Sequence, residues 1–273
     1  MLFIYRNKNI MEFDIKNKEH AYVIGLLQAD GHFSEYTRNR GRVSLELSIK
    51  DKDILEKIDK ILTCNSTTHE RTRDIKLNGY EYTGVTSSNL SFFDLDTRES
   101  LKKYLPISSK SSIIEKPDNI LEIDYWRGII DGDGSIGITK NGYPFISLIT
   151  CSEKIAIQYI EFLEKIIGYK KKNNRNKRDN AYNIVIFKED SQKLAKLLYY
   201  DNCLSIDRKY NSAMQVIDWV RPTNMKKRDF SFKKWSTFED DYIIEHTVEE
   251  SMQKLDRTEK SIKTRLWRLQ IKK

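Results

Sequence analysis

Two aspartates set the chemistry open to this chain. Asp30 and Asp133 each close a mostly apolar stretch and each precede a glycine: Ala21-Tyr-Val-Ile-Gly-Leu-Leu-Gln-Ala-Asp-Gly31 and Asp124-Tyr-Trp-Arg-Gly-Ile-Ile-Asp-Gly-Asp-Gly134. Both stretches are too long and smooth for turns. Small residues recur every fourth position (Ala21, Gly25, Ala29 and Gly128, Gly132), so each predicts a buried helix with a groove along one face. Glycine inside a helix costs about 1 kcal/mol against alanine, and close approach of the two backbones would offset that. Packed together, the helices would converge their acidic ends on carbonyl-rich termini, where a cation is favoured and two carboxylates cannot both stay ionised unaided. A hard divalent ion with oxygen ligands, magnesium foremost, resolves the conflict. One Asp-Gly is an ordinary helix stop. Two matching copies, offset by 103 residues, are not.

The elements that would position these ends repeat as well. After the first stretch, Val43 to Ile49 alternates as a half-buried strand and Asp51 to Leu62 has helical spacing. A hairpin follows over 71–77 and 80–86 around Asn78-Gly79, then a helix over 90–104 and a connector over 106–117. The second half offers strands at 135–139 and 145–150, a helix over 155–167, a basic hairpin, a strand at 183–187, and helices over 194–200 and 209–219. This is an α+β chain of two αββαββα halves, and a repeat of that size predicts a pseudo-symmetric pair. The boundaries read as an arm at 1–17, halves at 18–117 and 118–220, a linker at 221–231 and a tail at 232–273.

The stretches Val23-Ile-Gly-Leu-Leu-Gln-Ala-Asp-Gly31 and Trp126-Arg-Gly-Ile-Ile-Asp-Gly-Asp-Gly134 resemble the signature helix of the LAGLIDADG homing endonucleases, in the form with two copies on one chain. The resemblance covers about residues 18 to 220. It implies a saddle built around the paired helices, and a site-specific double-strand DNA endonuclease that hydrolyses phosphodiester bonds with a divalent metal. It places the metal at Asp30 and Asp133, with the carbonyls of Ala29 and Gly132, and makes Mg²⁺ the expected cofactor. Gln28 stands where the second copy has Asp131, a position that is not catalytic in the family. Lys188, after the strand ending at Phe187, matches a family active-site lysine, and Lys50, after Ile49, is the next choice. The first half has only Ser87-Ser88 at the place equivalent to Lys188, which puts equal cutting of the two strands in question. An RNA maturase acting on intron RNA, and a DNA-binding regulator that does not cut, are the alternatives on the same scaffold.

Charge agrees with a nucleic-acid partner. Formal net charge is +8 with pI near 9.1, which favours an anionic partner. Lys170-Lys-Lys-Asn-Asn-Arg-Asn-Lys-Arg178 holds six basic residues in nine. Set in a hairpin, Lys170, Lys171, Lys172, Arg175, Lys177 and Arg178 would meet phosphates, and Asn and Arg can read base edges. The first half offers a thinner set in Arg42, Ser44, His69, Arg71, Arg73 and Lys76. No run approaches the ~20 apolar residues of a membrane span. Three cysteines far apart (Cys64, Cys151, Cys203) suggest neither a zinc site nor disulfides, but a reduced, cytosolic setting; a DNA-containing organelle or a phage-infected cell fits equally. The expected state is a monomer with internal twofold pseudo-symmetry.

From Arg221 onward the chain has 14 basic and 9 acidic residues. Ser236-Thr-Phe-Glu239 opens a helix as a capping box, residues 248–255 form a second, and Thr258 caps a third with Ile262, Leu266 and Leu269 on one face. Lys260, Lys263, Arg265 and Arg268 surround that face. The tail resembles a Myb/SANT-like helix-turn-helix, which implies DNA contacts by the last helix.

Overall fold

A computed structural model describes residues 12–62, 64–77, 79–106, 110–172, 175–176, 178–223, 225 and 235–269. The expected arm at 1–11, Asn78, Lys177 and most of the linker lie outside them. The chain divides into two compact units, Met1–Arg221 and Pro222–Lys273.

The first unit is built around α1 (Lys18–Asp30) and α4 (Glu122–Asp133), the most extensively packed pair of helices. Asn17 caps α1, its side chain accepting from the His20 N–H at 3.0 Å. Residues Ala21 to Gln28 are buried without interruption, the mark of a helix surrounded by protein. Gly25 and Gly128 are what let the backbones touch. A methyl on Gly25 would stand 2.3 Å from the Tyr125 carbonyl oxygen, and one on Gly128 would stand 2.2 Å from that of Tyr22. Tyr22 and Tyr125 are themselves 103 residues apart, so the contact repeats across a pseudo-twofold.

Each half follows its central helix with a four-stranded antiparallel sheet. The first has β1 (Gly31–Glu35), β2 (Gly41–Ser48), β3 (Ser66–Leu77) and β4 (Tyr80–Phe92), in the order β1-β2-β4-β3. The second has β5 (Gly134–Ile138), β6 (Pro144–Thr150), β7 (Arg175–Asn176) and β8 (Ala181–Phe187), in the order β5-β6-β8-β7. The registers match: Gly31 faces Leu45, and Gly134 faces Leu148. One continuous core joins both halves, with α2 (Lys52–Ile61), α3 (Leu95–Lys102), α5 (Glu153–Ile167), α6 (Lys188–Leu198) and α7 (Asp207–Ile217) covering the sheets.

Three readings of the sequence need correction. The helix expected over 90–104 begins only at Leu95. Leu90 and Phe92 alternate with Ser91 and continue β4, paired with Leu45 and Val43. The helix expected from Leu194 starts at Lys188, because apolar Leu194, Ala195 and Leu198 mark only its buried stripe. Residues 12–17, read as part of a separate arm, are tied to the first unit. Phe13 is buried, the Ile15 carbonyl accepts from the Leu121 N–H at 3.1 Å, and Lys16 Nζ donates to the Asn119 carbonyl at 2.6 Å.

The second unit has α8 (Thr237–Glu245), α9 (Val248–Leu255) and α10 (Glu259–Arg268) around Ile243, Leu255, Ile262 and Leu266. Capping boxes open α8 at Ser236 and α9 at Thr247. So small a core is reinforced by ion pairs. Arg257 pairs with Glu239 at 2.9 Å over the Trp235 ring, and Arg265 grips both Asp240 oxygens at 2.7 and 2.5 Å.

Candidate metal and nucleic-acid site

Asp30 and Asp133 are the last residues of α1 and α4, as their sequence setting requires. The helices bring these ends together. A methyl on Gly132 would lie 2.3 Å from the Ala29 Cβ and 3.0 Å from Asp30 Oδ2. The Asp30 carboxylate therefore rests against the last turn of α4, beside Asp133, in space that Gly132 leaves open. Gly132→Ala should push Asp30 off that turn. The expected result is loss of divalent-ion-dependent activity, measured by cleavage. The same methyl would overlap the Ala29 Cβ, which no rotamer can move, so a lower melting temperature is expected as well, measured by calorimetry.

Lys209 is the residue that sequence reasoning missed. It lies in the first turn of α7, only 4 % exposed, and its ammonium donates to the carbonyls of Ile130 (2.7 Å), Asp131 (2.6 Å) and Gly134 (2.9 Å). A cation thus caps the negative end of α4 from inside the protein. Burial holds its pKa below that of an ordinary lysine, with Asp131 and Asp30 among the charges that oppose the shift. Asp131 is as enclosed. Its carboxylate accepts from the Tyr22 hydroxyl (2.6 Å), the Tyr199 hydroxyl (2.6 Å) and the Ile206 N–H (2.9 Å), while burial raises its pKa. Across the pseudo-twofold, the Tyr125 hydroxyl donates to Gln28 Oε1 at 2.5 Å, and Gln28 Nε2 donates to the Tyr104 and Glu115 carbonyls. The Gln28/Asp131 difference therefore belongs to the support of the site.

Lys209→Met would strand three carbonyls and leave Asp131 without its cation. Removing one partner of a buried ionic group costs about 3–5 kcal/mol. That is a fall of roughly 10 °C in melting temperature for a unit of this size. The double variant with Asp131→Asn should recover part of the loss, which a double-mutant cycle by calorimetry would show.

The start of α7 also ties the halves together. Arg208 binds both oxygens of Asp51 at 2.9 and 2.8 Å, and Lys57 Nζ donates to Asp207 at 2.5 Å and to Asp53 at 3.0 Å. Lys50 is exposed in the 3-10 turn Ile49–Asp51, whose Asp51 belongs to this cluster. Lys188 is not part of it. Gly134, Leu148 and Ile184 lie in one row across the sheet, and Lys188 is four residues beyond, roughly 13 Å along the strand. Strand β8 runs away from the acidic ends, and the Lys188 ammonium lies over the Tyr143 ring at 5.1 Å. Among the described residues no group of three His, Cys, Asp or Glu is arranged to hold a metal.

The outward sheet residues divide. In the first half Arg42 and Arg71 are exposed, Arg73 pairs with Glu46 at 2.9 Å, and Lys76 pairs with Glu81. Ser44 faces outward but is only 6 % exposed, between His32 and Ser91. In the second half Lys170, Lys172, Arg175 and Arg178 are exposed, Lys171 is half-buried, and Arg178 holds Asp179. In the tail Lys260 and Arg268 stand exposed, Lys263 pairs with Glu259, and Arg265 is spent on Asp240 instead of facing a ligand.

The family model of the LAGLIDADG-like domain matches the chain twice, over residues 17–96 and 121–198. The chain belongs to the LAGLIDADG family. Both matches span a central helix and its sheet, so the two LAGLIDADG copies are the two halves of the fold. Among solved structures, the homing endonuclease I-WcaI bound to its DNA recognition sequence is similar at a TM-score of 0.52 and 17 % identity, over 74 % of this chain and 88 % of that one. The I-SmaMI LAGLIDADG homing endonuclease bound to cleaved DNA follows at 0.45 and 14 % identity, over 76 % and 89 %. At 17 % identity the likeness to I-WcaI is one of fold. No curated protein sequence matches the chain. No described helix of this LAGLIDADG protein is long and apolar enough to cross a membrane.

Proposed function

We propose that this LAGLIDADG protein is a site-specific endonuclease of double-stranded DNA, dependent on a divalent metal and active as a pseudo-symmetric monomer. The observation that carries the reading is the Asp30 carboxylate set against the last turn of α4, beside Asp133. The I-WcaI structure, a homing endonuclease on its recognition sequence, supports it through a shared fold.

The donor set suits magnesium. Two carboxylates with the Ala29 and Gly132 carbonyls are hard oxygen ligands, and such a set leaves room for water and phosphate oxygens. When bound, magnesium supplies Lewis acidity at the scissile phosphate and a more acidic water as nucleophile. Asp30 and Asp133 would hold the ion where both halves meet. Lys209 has all three N–H donors on carbonyls and none left for phosphate. Its role is to position the end of α4. Lys50, exposed beside Asp51 in the chain, is the basic group free to face the DNA. Arg42 and Arg71 on the first sheet, and Lys170 and Lys172 in the loop before β7, are placed for phosphate contacts. Lys260 and Arg268 are so placed on α10, where a helix-turn-helix tail adds affinity.

Incubation with a pool of plasmid or genomic duplexes and Mg²⁺ tests the proposal. Discrete fragments are expected, and EDTA should stop cutting while leaving binding in place. Binding without cutting at any metal concentration would favour a regulator, and preference for structured RNA a maturase. Arg71→Ala should weaken binding evenly across sequences and lower the salt slope by about 1, read by titration at several salt concentrations.

A further inference from the structure

The two sheets turn chemically different faces outward. Their registers superpose at the 103-residue offset, so Arg42, Ser44 and Glu46 of β2 correspond to Phe145, Ser147 and Ile149 of β6. Two charged positions have become apolar. The neighbouring strands diverge alike: β4 puts Asn89 and Ser91 opposite Glu46 and Ser44, while β8 puts Asn183 and Val185 opposite Ile149 and Ser147. Phe187 completes the second face beside Phe145, ring centres 6.5 Å apart.

These side chains are not turned into the core, which Ile146, Leu148, Ile184 and Ile186 fill from the other side of the same strands. Ile149 is 52 % exposed and Phe187 48 %. An exposed apolar patch of this kind marks a contact surface. Its border names the partner, for Lys140 in the β5–β6 turn and Arg178 in the β7–β8 turn stand exposed at its two ends. An uncharged floor with a cationic rim complements a duplex groove, whose edges are phosphate and whose floor is bases. In the major groove, bases present one apolar group, the thymine 5-methyl, and the adenine of the same pair is the partner of Asn. Ile149 and Asn183 are cross-strand neighbours, placed for the two members of one A·T pair.

Building on the nuclease reading above, we infer that the second sheet selects a thymine-rich half-site. Phe145, Ile149, Val185 and Phe187 bury thymine methyl groups and Asn183 takes an adenine edge. The first sheet, with Arg42, Glu46, His69 and Asn89 outward, reads its half-site by hydrogen bonds. The enzyme would thus recognise a target whose arms differ in composition as well as in sequence.

Site selection from a randomised duplex library, with EDTA present to prevent cutting, gives the target. Thymine is then replaced by deoxyuridine in one arm at a time and Kd is measured at fixed salt. In one arm each methyl lost should weaken binding roughly fourfold, and three or more together beyond tenfold. The other arm should change less than twofold. Val185→Ala with Phe187→Ala, outward residues of β8 on the side of Ile184 that runs away from the Gly134 row, should flatten the deoxyuridine effect in the sensitive arm alone. Equal, small effects in both arms would overturn the inference and leave the nuclease reading standing. Failure to select any duplex would overturn both. A dimer in sedimentation that Ile149→Asp dissolves would also overturn it, since the face would then be occupied by a second copy.

Discussion

Asp30→Asn and Asp133→Asn should each abolish DNA cleavage in Mg²⁺, by about 10³-fold or more, while DNA binding persists. A loss of that size is roughly 4 kcal/mol of transition-state stabilisation, what is expected when a site built on two carboxylates loses one. The sign on stability is opposite. Each aspartate closes its helix where backbone carbonyls already concentrate negative charge, and each carboxylate adds to the repulsion. Without metal, the Asp133→Asn variant should therefore melt no lower than the parent protein, whereas Asp30→Asn also gives up the attraction of the buried Lys209 ammonium. Single-turnover cleavage, binding titration and calorimetry on the same samples separate the outcomes. Asparagine variants that still cut within tenfold of the parent would remove these aspartates from the mechanism.

A second large effect on stability is expected at the crossing of α1 and α4. In Gly128→Ala the new methyl would stand 2.2 Å from the Tyr22 carbonyl oxygen and 2.8 Å from the Leu26 nitrogen. Both are backbone atoms of a helix buried along its length, so no rotamer can relieve the overlap and the helices must separate. Overpacking costs about 1–3 kcal/mol where side chains can adjust. Here the upper end or more is expected, only partly offset by the ~1 kcal/mol that alanine gains over glycine in a helix. Gly128→Ala should lower the melting temperature by roughly 6–12 °C and reduce cleavage even in the folded fraction, because the acidic ends part together. Gly137→Ala serves as the control. Its methyl would find nothing closer than 3.8 Å, and the melting temperature should stay within about 2 °C.

How far the sequence disclosed this depends on the range of the interaction. Asp30, Asp133 and their glycines lie within single helices, so spacing and the repeat exposed them. The pairing of the halves was legible for the same reason. The extent of β4 was harder to read, since Leu90 and Phe92 fit both a strand ending at Phe92 and the first turn of a helix. Lys188 was misplaced because a strand end was read without its direction, which only the register of β8 against β6 and β5 supplies. Lys209 was invisible as a site residue. It follows Asp207 and Arg208 at the start of an amphipathic helix, looks like one more surface cation, and meets α4 only through the tertiary fold. Arg265 was misread in the opposite sense. Its place on the basic face of α10 suggested DNA, but Asp240, 25 residues earlier, claims both ends of its guanidinium.

The reciprocal donation of Tyr22 to Asp131 and of Tyr125 to Gln28 has a consequence for assembly. If the gene were cut between the repeats, a pair of N-terminal pieces could still match tyrosine with glutamine. Two C-terminal pieces would have to enclose a second Asp131, so mixed partners should win the competition. Co-expressed separately, the fragments should find one another and restore a working enzyme, while the C-terminal piece produced by itself should precipitate.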